Sequence, residues 1–216
     1  FDSCFLQETD AVKPPHYEGN FWLVDGELKK WDGPVTKVKS PIHVQGKDEA
    51  VVIGTYPMLT EKESVDAVHA AQRAFDNGRG AWPRMTTKER INCVKQFVAG
   101  LKAKREEIVN LLMWEICKTR ADSEKEFDRT IVYVEDTIKA LKNLENKQST
   151  FEQEQGIIGQ IRRSPYGVVL CSGPFNYPFN ETYTTLIPAL IMGNSVVMKL
   201  PRYGVLCHFP ELEIFQ

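Results

Sequence analysis

One stretch of the chain, from Gly167 to Lys199, constrains the fold more than any other. It reads GVVLCSGPFNYPFNETYTTLIPALIMGNSVVMK. The short apolar run Val168–Leu170, bounded by glycines, predicts a strand buried on both faces of a parallel sheet. From Pro178 onward, apolar residues recur at helical spacing until Gly193-Asn194, a typical helix stop. Since the residues after that stop predict a second strand ending at Lys199, the stretch forms one βαβ unit.

Polar residues follow both predicted strands of this unit. Asn176 lies just beyond the first strand and Lys199 ends the second. In open α/β sheets, ligands bind at the carboxyl ends of the strands. A neutral carboxamide held between prolines is a preorganised N–H donor for negative charge that develops on a carbonyl oxygen. The alternative is that Asn176 is a turn residue whose side chain bonds its own backbone.

The chain before this unit predicts small antiparallel strands. Phe21–Trp31 alternates around Asp25-Gly26, which is a hairpin signal, and Val35–Val44 and Ala50–Pro57 are two further extended segments. Residues 1–20 contain prolines and little periodicity, so we expect an arm or a disordered terminus there.

Four helices are predicted next. Thr60–Glu63 and Thr86–Glu89 are capping boxes that mark the first two starts. Each helix carries an apolar stripe that predicts core. The stripes are Val65, Val68, Ala71 and Phe75, then Ile91, Val94, Val98 and Leu101, then Ile108, Leu111 and Leu112, and finally Phe127, Ile131, Val134, Ile138 and Leu141.

Two further segments complete the chain. Lys147–Gln155 is polar and predicts a loop, whereas Ile157–Arg163 alternates and ends at the turn signal Ser164-Pro165, which predicts a hairpin strand. Tyr203–Gln216 predicts a helix. Because the chain begins with phenylalanine and stops within this helix, we expect both ends to be cut.

Composition excludes several classes of protein. A formal net charge of −2 leaves no basic footprint for nucleic acid or for an anionic membrane. No apolar run approaches the roughly 20 residues that cross a bilayer, and the first residues lack the layout of a secretory signal. Five scattered cysteines fit reduced thiols in a reducing compartment, so we expect a cytoplasmic protein. The four histidines show no spacing that suggests a metal site.

The motifs PFNYP, PALIMGN and VVMK at this spacing resemble the cofactor-domain signature of the aldehyde dehydrogenase superfamily. Within it, NYPFNETYTTLIPALIMGNSVVMK followed by RYG is most similar to the NADP-dependent, non-phosphorylating glyceraldehyde-3-phosphate dehydrogenases. The similarity reaches back to about Phe21 and covers only the amino-terminal part of such an enzyme. It implies an incomplete α/β fold, in which helical and antiparallel elements lead into an open, Rossmann-like parallel sheet.

The resemblance also divides the chain. Residues 21–144 correspond to the first strands and helices of the cofactor domain, 145–166 to an oligomerisation-type hairpin, and 167–216 to a truncated first βαβ unit of the cofactor-binding sheet. It implies a homo-oligomer, dimer or tetramer. The superfamily's nucleophilic cysteine and general-base glutamate lie beyond this chain, so the chain is expected to be inactive alone.

Matching positions imply roles for individual residues. Asn176 would form half of the oxyanion hole, while Ser172 and Phe175 would line the cofactor site. Arg129 and Tyr177 would bind the substrate phosphate, for which a guanidinium fork is suited. The alternative for that pair is a surface arginine and a packed tyrosine.

Two basic residues concern the cofactor. The resemblance implies that Lys199 bonds the adenine ribose. At the position of Arg202, NAD-preferring relatives usually carry a glutamate that accepts from the ribose hydroxyls. An arginine cannot accept a hydrogen bond but pairs with a 2′-phosphate, which favours NADP over NAD. Lys199-Leu200-Pro201 departs from the family's lysine-proline order, so the geometry of this loop does not follow from the match.

The favoured function is the cofactor-domain portion of an NADP-dependent enzyme that oxidises the aldehyde glyceraldehyde 3-phosphate to 3-phosphoglycerate. One alternative is a truncated, catalytically silent module that binds nucleotide or assembles with full-length subunits. Another is a relative that acts on a different aldehyde.

Overall fold

The computed structural model describes residues 13–44, 48–148 and 150–216. Its first sheet has three strands in the order β1, β5, β4, where β1 is Tyr17–Glu18, β4 is Val35–Lys39 and β5 is Val52–Pro57. Strands β4 and β5 are antiparallel as predicted, but β1 runs parallel to β5. Of the arm predicted at residues 1–20, residues 1–12 lie outside the described ranges, and part of the remainder is this strand.

Packing of aromatic rings explains why β1 joins the sheet. The rings of Tyr17 and Phe21 lie 5.7 and 5.6 Å from the ring of Phe209, near the end of the chain. The Gly19 amide also donates to the Thr55 carbonyl at 3.1 Å. These partners lie far away in the sequence, so the short segment shows no local strand pattern.

The predicted hairpin is formed by β2 (Phe21–Val24) and β3 (Glu27–Lys30). Asp25 and Gly26 have φ of 55° and 75°, the left-handed backbone that a tight hairpin turn of this kind requires. The prediction from the Asp-Gly pair is confirmed.

Seven α-helices lie in the described part of the chain. Both capping boxes start helices as predicted, whereas the short helix between them carries no periodicity and is absent from the prediction. The helices are α1 (Glu61–Phe75), α2 (Ala81–Arg84), α3 (Thr87–Ala103), α4 (Arg105–Ile116), α5 (Arg120–Gln148), α6 (Pro178–Ile191) and α7 (Phe209–Phe215).

The core forms mainly between α3, α4, α5 and α6. Every predicted stripe residue of α3, α4 and α5 is buried, and Leu101, Ile108 and Val134 are fully so. Each such side chain contributes about 1.5 to 3 kcal/mol to folding. The stripe predicted for α1 is wrong at Val65 and Val68, which are 43% and 40% exposed.

The buried residues of α1 are two alanines, Ala70 and Ala71, of which Ala71 belongs to the predicted stripe. The helix lies on the strands of the βαβ unit, where the Ser195 hydroxyl donates to the Ala71 carbonyl at 2.7 Å. Small side chains allow this close approach, and the larger valines consequently face outward.

A second hairpin follows α5. Strands β6 (Glu152–Glu154) and β7 (Ile157–Gly159) are antiparallel around Gln155 and Gly156, both with positive φ. The loop predicted for Lys147–Gln155 is therefore wrong at both ends, because α5 continues to Gln148 and β6 occupies the second half. Four apolar residues on and beside this hairpin are each at least 66% exposed: Phe151, Ile157, Ile158 and Ile161.

The βαβ unit consists of β8 (Val168–Ser172), α6 and β9 (Ser195–Lys199). The two strands are parallel and in register. The helix ends at Ile191, and Gly193 in the turn that follows has φ of 94°. The side-chain oxygen of Asn194 accepts from the amides of Tyr166 and Gly167 at 2.7 and 3.0 Å. The helix stop thus also fastens the start of β8.

The prediction that β8 is buried on both faces is wrong. Cys171 is buried, but Leu170 is 69% exposed and Val168 is 38% exposed. The sheet has two strands, β8 and β9, and the helices packed against it leave the side chain of Leu170 mostly in solvent. A short apolar run therefore does not require that both faces of its strand be covered.

The chain ends in helical turns rather than one helix from Tyr203. A 3₁₀ turn, Leu206–His208, leads into α7. Phe209 and Leu212 are buried, so this segment closes one side of the core.

Candidate functional site

The carboxyl ends of β8 and β9 lie side by side. Ser172 and Lys199 are register partners at the last position of the ladder, and both residues are exposed. The side chain of Lys199 has no hydrogen bond or ion pair with any part of the chain that the structure describes. An exposed serine and a free ammonium group consequently meet at the edge where ligands bind in such sheets.

The turn that leaves β8 lies very close to α6. A Cβ atom on Gly173 would stand 1.8 Å from the Thr182 hydroxyl oxygen, so only glycine fits there. The chain then runs through Phe175, Asn176 and Tyr177, all exposed, before Pro178 opens the helix. This tight turn presents three consecutive side chains to solvent at the strand end.

Asn176 makes no side-chain hydrogen bond with the described residues, and no side chain caps the amino terminus of α6 from the adjacent Tyr177. The turn residue considered as an alternative would bond its own backbone, and that bond is absent from the described hydrogen bonds. Its carboxamide is free to donate to a ligand.

A buried carboxylate supports this turn from below. Glu126, on α5, has a fully buried side chain whose Oε1 accepts from the amides of Phe179 and Asn180 at 3.0 and 3.1 Å. A negative charge at a helix amino terminus is favourable because it complements the helix dipole. The other oxygen pairs with Lys118, whose ammonium lies 3.8 Å from the centre of the Tyr177 ring.

Sequence reasoning did not identify Glu126 or Lys118. A signal was present, because Glu126 and Thr130 accompany Phe127 and Ile131 on the buried stripe of α5. A carboxylate on an apolar stripe requires a partner, and here that partner is the helix that carries the site.

The loop after β9 has its own buried carboxylate. Glu115, near the end of α4, is 4% exposed and accepts from three consecutive amides, those of Gly204, Val205 and Leu206, at 2.8, 2.7 and 2.8 Å. Burial raises the pKa of the Glu115 carboxyl, against the lowering effect of these amides and of His208. Sequence reasoning did not identify Glu115 either.

Arg202 lies on this loop, between Lys199 and the amides that Glu115 holds. The residue is exposed and forms no ion pair in the described chain; its guanidinium carbon lies 5.5 Å from the centre of the Tyr203 ring. Arg202 and Lys199 therefore form a small cationic edge without a carboxylate partner. Such a set of donors suits a phosphate-bearing dinucleotide.

Arg129, predicted to bind substrate phosphate together with Tyr177, is exposed on α5. Within the described residues it has no ion-pair partner, and the cation over the Tyr177 ring is Lys118 rather than Arg129. The pairing of Arg129 with Tyr177 thus remains a prediction. Lys118 is a further cation beside the Tyr177 ring.

His208 is buried and connects the end of the chain to α6. Its Nδ1 lies 2.9 Å from Oε1 of Glu211, and its Nε2 lies 3.1 Å from the Pro178 carbonyl oxygen. The sequence interpretation gave this histidine no role, but it fastens the residue that follows the Asn176 turn.

Two cysteines, Cys171 and Cys207, are buried and belong to the packed interior. Burial raises the pKa of the Cys171 thiol, and it raises that of Cys207 well above the ordinary value. A thiol with a raised pKa is a poor nucleophile at neutral pH, because the thiolate is the reactive form. Cys4 lies outside the described residues.

No helix in the described ranges is long and apolar enough to pass through a lipid bilayer. No group of three or more histidine, cysteine, aspartate or glutamate residues in those ranges is placed to hold a metal ion.

Comparison with solved structures identifies the fold. An NAD-dependent aldehyde dehydrogenase from Sinorhizobium meliloti superposes with a TM-score of 0.78 over 98% of this chain and 40% of its own, at 24% identity. An NADP-dependent glyceraldehyde-3-phosphate dehydrogenase from Bacillus halodurans C-125, complexed with NADP, gives a TM-score of 0.76 over 92% of this chain and 40% of its own, at 26% identity.

Curated relatives agree. The NADP-dependent glyceraldehyde-3-phosphate dehydrogenase of Streptococcus equinus is 30% identical over 84% of this chain and 37% of its own length. The N-succinylglutamate 5-semialdehyde dehydrogenase of Photorhabdus laumondii is 28% identical over 85% of this chain and 34% of its own. The chain spans about a third of the length of these relatives. Since the profile described as "Aldehyde dehydrogenase family" matches residues 35–216, this chain belongs to the aldehyde dehydrogenase family, of whose fold it forms an amino-terminal part.

Proposed function

We propose that this chain is the cofactor-domain portion of an NADP-dependent aldehyde dehydrogenase that oxidises glyceraldehyde 3-phosphate to 3-phosphoglycerate in the cytoplasm. The observation that carries the proposal is the pair of loops at the carboxyl edge of β8 and β9. Among the described residues, one loop presents a carboxamide without a hydrogen-bond partner at Asn176, and the other a guanidinium without an ion-pair partner at Arg202.

Two features support the oxyanion role of Asn176: its carboxamide has no competing hydrogen bond within the described chain, and the helix that follows it is anchored. A donor that stabilises a developing oxyanion must be preorganised and free of competing bonds. Asn176 satisfies the second condition within the described chain, and the helix that follows it is anchored by Glu126 and His208. When the family's cysteine attacks the aldehyde, the Asn176 carboxamide would donate to the carbonyl oxygen as it gains charge.

Cofactor binding is assigned to four residues at the same edge. Lys199 would bond the adenine ribose, Arg202 would pair with the 2′-phosphate, and Ser172 and Phe175 would line the site. Bound NADP would supply the hydride acceptor. The absence of a carboxylate partner for Arg202 in the described chain supports this assignment, because the guanidinium charge is then available to the phosphate.

The phosphorylated substrate is assigned to Arg129 and Tyr177. The support is the local charge, since Lys118 lies against the Tyr177 ring and the guanidinium of Arg129 is unpaired in the described chain. Relatives named for N-succinylglutamate 5-semialdehyde favour a second candidate, a family member that acts on a carboxylated aldehyde.

A steady-state assay of a complete enzyme that contains this chain tests the proposal. Glyceraldehyde 3-phosphate and N-succinylglutamate 5-semialdehyde would each be offered with NADP and with NAD. The proposal expects the highest kcat/KM for glyceraldehyde 3-phosphate with NADP. A higher value for the carboxylated aldehyde would establish the second candidate, and preference for NAD would overturn the cofactor assignment.

The exposed apolar hairpin formed by β6 and β7 supports homo-oligomer assembly, as a dimer or a tetramer. Ile157 and Ile158 are 73% and 67% exposed, an unusual location for such side chains in neighbouring positions. The same surface would serve a catalytically silent chain that assembles with full-length subunits.

A further inference from the structure

The loop that carries Arg202 is held by one buried carboxylate from a different part of the chain. Glu115 binds the amides of Gly204, Val205 and Leu206, residues about 90 positions later in the sequence. No ion pair involves Glu115 in the described chain. Within the described chain, all hydrogen bonds of the Glu115 side chain are made to this one loop.

The chemistry of the contact requires a carboxylate. Both oxygens are used, Oε1 for two amides and Oε2 for the third. An ionised carboxylate is an acceptor at both oxygens, whereas a glutamine has one acceptor oxygen and a nitrogen that donates. A glutamine here would direct its own donor at a backbone donor, so the isosteric amide cannot reproduce the contact.

The opposite side of the loop is fixed as well. Gly204 has φ of 85°, and a Cβ there would lie 2.3 Å from the Cβ of Pro178, the first residue of α6. The loop is therefore enclosed between the end of α4 and the start of α6. Only Leu200–Tyr203 separate β9 from this fixed point, which restricts where the exposed Arg202 can lie.

We propose that Glu115 is a positioning residue for cofactor selection, which holds Gly204–Leu206 so that Arg202 is preorganised for the 2′-phosphate of NADP. The inference rests on the proposed function. Glu115 lies in the core and would affect cofactor selection only through the exposed Arg202. Because NAD lacks the 2′-phosphate, the role concerns NADP affinity and leaves NAD affinity almost unaffected.

The size of the effect follows from the population of the competent loop. If loss of the contact leaves that arrangement populated about one tenth of the time, the apparent Kd for NADP rises about tenfold. A complete enzyme that contains this chain would be titrated with NADP and with NAD by isothermal calorimetry, as the wild type and as Glu115→Gln. We expect the tenfold loss for NADP and less than about a twofold change for NAD.

Two further variants separate positioning from general destabilisation. Val134→Ala removes buried methyl groups from α5 and lowers the melting temperature without touching the loop, so its ratio of NADP to NAD affinity should match the wild type. Glu115→Asp keeps two acceptor oxygens on a shorter side chain and should give an intermediate loss. It also provides a measurement if the glutamine variant does not fold.

A double-mutant cycle tests whether Glu115 acts through Arg202. In an Arg202→Ala background, Glu115→Gln should produce no further loss of NADP affinity, because the group that it positions is gone. A full additional loss in that background would overturn the inference. Equal losses for NADP and NAD in Glu115→Gln alone, or no loss for either, would overturn it too.

Failure of the proposed function has a different signature. A complete wild-type enzyme that binds neither dinucleotide would overturn that function and the selectivity role together. Amide hydrogen exchange would then still decide whether the contact orders the loop. Protection at Gly204–Leu206 should fall in Glu115→Gln and persist in Val134→Ala, and unchanged protection in both would show that Glu115 does not order this loop.

Discussion

Ser172 and Lys199 face each other at the last position of the two-stranded parallel ladder. The loops that begin after them therefore leave the sheet side by side, one carrying Asn176 and the other Arg202. Both loops contact Pro178, the first residue of α6. The first loop leads directly into Pro178, and the second packs against it at Gly204. The proposed oxyanion donor and the proposed cofactor selector thus share one support, the amino terminus of α6.

In a complete enzyme that contains this chain, Asn176→Ala should lower kcat by about 10²- to 10³-fold, the usual loss for one oxyanion donor. Cofactor affinity should change much less, because the donor contributes most as the carbonyl oxygen gains charge. Asn176→Asp should be worse, since a carboxylate repels that charge. Near-normal kcat in both variants, with a lowered melting temperature, would show a turn residue instead.

Arg202→Glu should shift the same enzyme from NADP toward NAD. The substitution removes a cation from the 2′-phosphate and supplies an acceptor for the ribose hydroxyl. The measurement is the ratio of kcat/KM for the two cofactors. Lys199→Glu, at the end of β9, is a comparison that should lower the affinity for both cofactors. An unchanged ratio in Arg202→Glu would mean that the guanidinium does not meet the phosphate.

The 216-residue chain alone should not oxidise aldehydes, because the resemblance implies that the nucleophilic cysteine and the base glutamate lie outside it. Reduction of NADP by glyceraldehyde 3-phosphate would be followed by absorbance, with Cys171→Ser as the control. Turnover that survives this substitution would locate the chemistry elsewhere in the chain.

The apolar hairpin should drive association of the chain. Replacing Ile157 and Ile158 together by aspartate should lower the mass measured by light scattering at a given concentration, because charged side chains oppose burial of this surface. Val132→Asp is a matched control, since Val132 is a 56% exposed residue on α5, away from the hairpin. Equal effects of both changes would argue against a specific interface.

Acid should weaken the start of α3 through its capping box. The Thr86 hydroxyl and amide donate to the Glu89 carboxylate at 2.8 and 2.7 Å, and these bonds lower the pKa of Glu89. Its contribution to stability is therefore present above the unfolded pKa and is lost as pH falls through the lower folded value.

Melting temperatures of the wild type and Glu89→Gln across acidic pH would measure this contribution. The glutamine keeps an acceptor oxygen but does not titrate, so the gap between the two proteins should narrow as the wild type is acidified. A gap that is constant with pH would rule out the titration of Glu89 as its cause.

Local patterns predicted much of this architecture. Capping boxes placed the starts of α1 and α3, Asp25-Gly26 placed a hairpin, and Gly193-Asn194 placed the end of α6. These signals work because each depends on contacts within a few residues of the chain. The motifs of the βαβ unit also indicated the family. They lie at the strand ends and turns of the unit, where local geometry restricts which residues fit.

The sequence by itself therefore determined the order of the elements and brought Ser172 and Lys199 to one sheet edge. Tertiary structure decided which side chains are buried, which distant segments pair, and which partners the buried carboxylates have. It left Leu170 and Val65 exposed, drew Tyr17 into a sheet, and gave Glu115 and Glu126 their partners in distant loops. A buried carboxylate is stabilised only by donors that the folded chain brings to it, and those donors lie too far along the sequence for any local pattern to reveal.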